Sequence, residues 1–328
     1  MRKRFDLIIG LTAAAGLTVL ILDSKTAIAG ACDGIALCIR TLIPSLFPFL
    51  FLTALLSSSL TGKHLHVLRP LGRLCRIPDG AQYILISGLI GGYPIGAISV
   101  SDAYRKGYLS RQDAGRMLAF CNNCGPAFMF GITAALFDEP WIPWILMAIN
   151  MISAVFVGMI IPGEARPFSP CKNEHVSPVR AINQALRSMG AICGWVSLFK
   201  ILLEFIERWV GWYFPTEVQV VISGILELSN GCVELTRIES LQLRFILCAG
   251  FLSFGGLCIT MQTLSVTENV PKGLYFPGKV LQCCISISIA CILCGKTMGL
   301  MPAMIAIALS VFLRRKQKIC RNLQIIDV

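Results

Sequence analysis

Glu227 lies in the middle of an apolar segment, Glu217–Val233, with Ser229 and Asn230 beside it. An ionisable group at membrane depth marks an ion or substrate pathway, so Glu227 is a candidate to carry a coupling proton or hold a cation. The plainer alternative is a glutamate close enough to the surface to be hydrated. Asn122 and Asn123, in the string Cys121-Asn122-Asn123-Cys124-Gly125-Pro126, offer amide donors and acceptors on neighbouring faces just before a helix break. They read either as a binding bend or as partners for the carbonyls that Pro126 frees. Gly91-Gly92-Tyr93-Pro94 interrupts a second apolar segment. There the glycines permit a tight reversal and Pro94 can open a returning helix near Ile95–Gly96. Gly255 and Gly256, followed by Thr260, Gln262 and Thr263, form a further break, or else a small-residue packing surface. Arg40 and Lys200 lie inside apolar helices, where they either snorkel or face a cavity as partners for an anion. The chemistry these residues can do is non-covalent. They could bind a small polar or anionic solute, with a proton or sodium as coupling ion.

Covalent chemistry finds no constellation. There is no nucleophile elbow, phosphate loop, zinc-protease helix or pair of carboxylates at useful spacing. Cys121 and Cys124 have CxxC spacing, but a zinc site needs two further ligands. His64, His66 and His175 fall in loops. Neither an enzyme, a cofactor nor a metal is expected.

The elements that must position these residues are helices in a bilayer. Of the 328 residues, 55% are hydrophobic and 14% charged, and mean hydropathy is +0.72. Soluble domains are nearer one-quarter charged. The net charge of +11 does not point to nucleic acid, because the basic residues sit in short loops beside apolar runs, with no basic stripe carrying interleaved aromatics. Many of the 15 cysteines lie inside those runs, where Cys packs as a small hydrophobe rather than in disulfides.

Arg2, Lys3 and Arg4 precede an apolar stretch from Phe5 to Leu22, which reads as an uncleaved first transmembrane helix. Further spans are expected at Gly34–Leu60, Ala114–Leu136, Trp141–Ile161, Ser188–Trp209, Leu241–Leu264, Val280–Cys294 and Leu300–Leu313. The segments Ala81–Tyr104 and Glu217–Val233 are broken at their middles and either cross or return as hairpins. Charge decides. With both as hairpins and the N-terminus cytoplasmic, three groups of basic residues fall inside: Lys63 to Arg76, Arg105 to Arg116, and Arg166 to Arg187. The tail Arg314-Arg315-Lys316 also falls inside, while Asp138-Glu139 falls outside.

The expected fold is an all-α polytopic membrane protein with about eight transmembrane helices. Two opposed re-entrant hairpins and two cytoplasmic termini complete it. Ile86–Ala97 aligns without gaps on Ile222–Val233, and Arg116–Pro126 has the layout of Arg244–Gly256. The expected organisation is an N-terminal helix and connection (1–33), then a first repeat (34–162) of helix, hairpin 81–104, broken helix 114–136 and helix. A cytoplasmic loop (163–180) leads to a second repeat (181–296) of helix, hairpin 217–235, broken helix 241–264 and helix. The last helix and basic tail occupy 297–328. An odd number of crossings separates equivalent points, so the repeats are inverted, which is the pattern of a secondary transporter with a midplane site. Partners implied are a small-molecule substrate, a coupling ion and the lipid bilayer. Oligomers are compatible with the sequence.

The motifs GGYPIGA, YLSRQDAGRMLAFCNNCGPAF, LELSNGC and FGGLCITMQ, in this order, resemble the sporulation integral membrane protein YlbJ (SpoVV) family. That family falls within the nucleoside-recognition (Gate) domain group. The likeness runs from about Ala31 to Leu313. It implies an architecture like that of concentrative nucleoside transporters, a place in the outer forespore membrane, and movement of dipicolinic acid during endospore formation. The alternatives it leaves are a non-transporting scaffold required for sporulation, or a nucleoside-type transporter. By motif, the implied site positions are Gly91–Gly96, Asn122–Pro126, Glu227–Gly231 and Gly255–Gln262. Relatives often carry Ser-Val and a His where this chain has Cys258-Ile259 and Met261, which allows a different substrate or ion.

Overall fold

Asp23 ends one helix and starts the next. In the computed structural model, which describes residues 2–60, 66–161, 163, 177–296 and 299–326, α1 (Arg2–Leu22) stops at this residue. The Asp23 carboxylate accepts from the Thr26 backbone N–H at 3.4 Å and its hydroxyl at 2.9 Å, capping α2 (Ser24–Leu37). It also pairs with Arg208 at 3.1 Å. The helix expected from Gly34 therefore begins at Ser24. It continues through a π-helical turn, Cys38–Leu42, into α3 (Ile43–Leu60). Pro44 cannot donate to the carbonyl four residues back, and its ring would press on it. The wider turn relieves this, with Ile43 N–H reaching Cys38 O.

A short α4 (Arg69–Leu74) leads to the first hairpin, whose arms are α5 (Gln82–Gly91) and α6 (Ile95–Arg105). The next helix is broken into α7 (Arg111–Cys121) and α8 (Pro126–Ile132), and α9 (Ile142–Ile160) follows. Then come α10 (Pro178–Val210), a second hairpin of α11 (Thr216–Leu226) and α12 (Leu228–Glu234), and a second broken helix of α13 (Leu241–Phe254) and α14 (Gly256–Val266). The chain ends with α15 (Tyr275–Leu293) and α16 (Leu300–Ile326). No strand occurs among the described residues. His64, His175 and most of the loop expected at 163–180 lie outside them.

Among the described residues, five helical stretches are long and apolar enough to cross a membrane: Ser24–Leu60, Ile142–Ile160, Pro178–Tyr213, Leu241–Val266 and Tyr275–Leu293. Gly10–Leu22 and Leu300–Arg314 are apolar but shorter. The segment expected as one broken helix over 114–136 is α7, α8 and a 3₁₀ turn. The hairpin arms of 10 or 11 residues reach about 15 Å each, roughly half a hydrocarbon core.

Close approaches between backbones hold this architecture together. A Cβ on Gly88 would stand 3.3 Å from Gly96 Cα, and a Cβ on Gly231 only 2.2 Å from Gly224 Cα. Each hairpin thus closes on a glycine pair. The gapless alignment pairs Gly96 with Cys232, whereas by packing Gly96 plays the part of Gly231. The first reversal uses Gly92, Tyr93 and Pro94, and the second uses Glu227 alone. Arg116, expected among the loop charges, is fully buried. It donates to Cys75 O and Arg76 O at 2.6 Å each, and to Ile161 O at 3.5 Å. Arg244 does the same in the second broken helix, reaching Ile238 O at 2.7 Å and Leu136 O at 3.1 Å.

Gly30 and Gly34, spaced as GxxxG, bring α2 against α10. A Cβ would stand 2.8 Å from Ile201 Cα at the first position and 2.7 Å from Ser197 Cα at the second. Both neighbours are backbone and cannot turn aside. A Cβ on Gly194, in α10, would meet nothing within 4 Å. Gly34→Ala should therefore lower the unfolding temperature of the purified protein, by the equivalent of about 1–3 kcal/mol. Gly194→Ala should leave it unchanged or raise it through helix propensity. Thermal unfolding followed by tryptophan fluorescence distinguishes them, and equal behaviour of the two variants would refute the close-packed seam.

Candidate functional site

The break between α7 and α8 frees carbonyls at membrane depth, and side chains take up three of them. Asn123 donates to Phe120 O at 2.7 Å, and Asn150 to Cys124 O at 3.2 Å. Pro126 has no N–H for the carbonyl four residues back, that of Asn122. Lys279 Nζ serves it instead, at 2.8 Å. The Asn122 side chain is left to bind across the molecule. Its Oδ1 accepts from Ala97 N–H in the first turn of α6 at 3.3 Å, and its Nδ2 donates to Thr263 Oγ1 at 2.9 Å. Both asparagines thus satisfy freed backbone, but Asn122 does so on another element. It ties the first hairpin to the second broken helix.

Lys279 is 0% exposed. Beyond Asn122 O, its ammonium donates to Gln282 Oε1 at 2.7 Å and Asn123 Oδ1 at 3.4 Å, and it lies 5.1 Å from the centre of the Tyr93 ring. The polar set continues from here. Gln282 donates to Asn123 Oδ1 at 3.0 Å and Asn150 Oδ1 at 3.2 Å, and Ser253, Ser286 and Ser153 form a chain of hydroxyls across α13, α15 and α9. The sequence reading missed Lys279 because it began this span at Val280. The helix starts at Tyr275. Asn150, Ser153, Gln282 and Ser286 stand singly in apolar runs. Their one visible signal is a polar residue where hydrocarbon would be expected.

At the second hairpin, Glu227 is 1% exposed and caps α12 with its own side chain. Its two oxygens accept from Ser229 N–H at 3.0 Å and Asn230 N–H at 2.6 Å. Asn230 accepts from Lys200 Nζ at 3.0 Å and donates to Ser223 at 2.7 Å. Lys200 therefore holds the hairpin tip. Arg40 lies on an exposed face of the π-helical turn, away from the tips.

The hairpins seat on the breaks. Gly92, at φ +72°, leaves so little room that a Cβ would come within 2.8 Å of Gly125 N. A Cβ on Gly256 would stand 3.3 Å from Gly224 O and Leu228 N. Gly255, at φ +82°, takes the left-handed turn that ends α13, and Tyr93 OH donates to Leu252 O at 3.4 Å beside it. Between the two tips lies a cavity of about 30 Å³, lined by Gly91, Gly92, Tyr93, Gly125, Glu227, Ser229 and Gln262. Leu42 and Leu46 close it from the π turn and α3, and Ile192 and Val196 from α10. Gln262 is 2% exposed, and its Oε1 has no hydrogen-bond partner. The volume suits one or two waters rather than a solute. In this conformation the space is too small to hold a solute.

Residues from the four broken segments thus converge on one small space. Pro94, Asn122, Asn123, Asn230, Gly255 and Gly256 support its walls, and the remaining expected residues line it, apart from Arg40 and Lys200.

These features define a polytopic, all-helical integral membrane protein whose interior is organised around paired helix breaks. The chain is similar to the sporulation integral membrane protein YlbJ of Bacillus subtilis (strain 168). The two are 24% identical over 302 residues, covering 76% of this chain and 73% of the relative. That is the family to which the motifs point. No family model matches the chain, and no solved structure does.

Asn150 bridges the first break to α15, so Asn150→Leu strands Cys124 O and weakens the hold on Gln282. A loss of about 1–3 kcal/mol is expected, read as a lower unfolding temperature in detergent. An unchanged temperature would show that these bonds carry no weight.

Proposed function

We propose that this protein is a secondary transporter of a small polar or anionic solute, working by movement of the hairpin tips around the cavity between them. The convergence of two hairpins and two broken helices on a buried space holding Glu227 and Gln262 carries this reading. Irregular backbone at membrane depth is otherwise a cost with no return, and discontinuous helices facing one another near the midplane are how transporters build binding sites. The likeness to a sporulation protein supports a role in endospore formation, and the family resemblance makes dipicolinic acid the first solute to try. The two halves are read as inverted repeats, with the N- and C-termini cytoplasmic.

Trp141 and Trp144 at the start of α9 are exposed, as are Trp209 and Trp212 at the end of α10. Such exposed tryptophans suit either membrane interface, so the orientation itself rests on the charge pattern, which puts both sets outside. Single cysteines introduced at Lys106 and Asp138, on a background cleared of reactive thiols, should label from opposite sides of sealed vesicles. Labelling from the same side would reverse the hairpin assignment.

Transport is tested in proteoliposomes with radiolabelled dipicolinate. The intact protein should accumulate it. Asn122→Ala and Glu227→Gln should reduce the rate about tenfold or more, since each removes a bond to a buried or charged group, while still inserting and unfolding cooperatively. Uptake by both variants at the wild-type rate would remove these residues from the site.

A further inference from the structure

The buried ammonium of Lys279 carries no carboxylate. Among the described residues it makes no ion pair, yet it is 0% exposed. A charge removed from water is costly unless it is paired or fully hydrogen-bonded. Here all three N–H donors are directed at neutral oxygens: Asn122 O, Asn123 Oδ1 and Gln282 Oε1. The Tyr93 ring faces the ammonium from a fourth direction.

That coordination sphere has a definite chemical character. A backbone carbonyl at a helix break, together with two amide oxygens, is a ligand set for a hard monovalent cation stripped of water. The amides are oriented for it. Asn123 gives its Nδ2 to Phe120 O at 2.7 Å, which turns its Oδ1 inward. Gln282 gives its Nε2 to Asn123 Oδ1 and Asn150 Oδ1, which turns its Oε1 onto Nζ. The carbonyl is available only because Pro126 cannot use it. We infer that the first break is a monovalent-cation site whose cation is the protein's own Lys279, tethered to α15, so that this site needs no sodium ion.

The inference makes Lys279 a positioning residue. It holds the bend at Asn122–Asn123, and through Tyr93 it bears on the first hairpin's tip, in the way that a bound metal cation would. Its consequence for transport rests on the reading proposed above. Its consequence for cation binding does not.

The test uses the full-length protein in detergent, with unfolding temperature measured in sodium chloride and in choline chloride at equal ionic strength. Wild-type protein should give the same temperature in both to within about 1 °C. Lys279→Ala and Lys279→Met leave the three oxygens without a cation. Both should unfold earlier in choline and recover as sodium is added, by about 2 °C or more for each tenfold rise once the site is filling. A wild-type protein that sodium stabilises overturns the inference. So do variants indifferent to sodium, and variants that cannot be recovered folded even in sodium. Dipicolinate uptake in proteoliposomes separates this from the transport reading. Equal wild-type uptake in the two salts is expected. Uptake that requires sodium defeats the tethered cation and leaves transport standing. Absence of uptake in both salts counts against the transport reading alone, and the unfolding series still decides the cation.

Discussion

A backbone N–H or C=O released at membrane depth has no water to turn to, and the interior of this protein is arranged around that one constraint. Gly92, Pro126, Glu227 and Gly255 each interrupt a helix, and side chains answer backbone groups released there, some from the same turn and some from distant elements. Lys279, Asn123 and Asn150 take up carbonyls at the first break. The second hairpin caps itself through the Glu227 carboxylate. Tyr93 reaches Leu252 O at the second break. Because some of the partners come from distant elements, satisfying the backbone also fixes how α5, α7, α13 and α15 lie against one another.

The same constraint accounts for the placement of charge. The first break holds a cation, Lys279, and the second hairpin holds an anion, Glu227. Each is coordinated by neutral dipoles rather than by the other. An ammonium is drawn to freed carbonyls at a helix C-terminus and a carboxylate to freed N–H groups at an N-terminus. That is where each is found, Lys279 at the end of α7 and Glu227 at the start of α12. Arg116 and Arg244 extend the principle toward the membrane surfaces. Guanidinium groups with several donors collect loop carbonyls at the outer ends of α7 and α13.

Much of this was legible in the sequence, because helix breakers inside apolar runs are conspicuous. Gly92-Tyr93-Pro94, Asn122–Pro126, Glu227 and Gly255 were located by residue type alone, and the returning arm does begin at Ile95. The groups that answer the breaks were harder to see. Lys279 lies one residue outside the span read from hydropathy, since the charge itself pushes the apparent boundary inward. Asn150 and Gln282 are single polar residues in apolar helices, and nothing local says which face they take. Gly30 was hidden by Lys25 and Asp33, which made that stretch look like a connection, and Gly34 was read as the first residue of the next span. The repeat alignment is one residue out of step with the packing, because Gly96 follows Gly88 by eight residues and Gly231 follows Gly224 by seven across turns of unlike length. A turn-length difference of that kind leaves no mark on hydrophobic pattern.

The two hairpins are held unequally, and this bears on how the small space between them could enlarge. The first is enclosed by neighbours along most of both arms. Asn122 binds its returning arm at Ala97, and Tyr93 at its tip reaches across to α13 and lies against Lys279. The second presents Val218, Ile225 and Val233 to its surroundings, and its tip bonds mostly to itself. Its polar tethers beyond its own turn include Lys200 to Asn230 and, nearer the surface, Gln219 to Gly211 O and Phe214 O. Moving the second hairpin therefore breaks fewer buried bonds, and the elements that move are drawn from the less firmly held part of a structure. Glu227 would travel with it and keep its cap, because both acceptors and both donors belong to the same turn. Gln262 would stay behind on α14. It lines the space that such a movement enlarges, and its Oε1 has no hydrogen-bond partner.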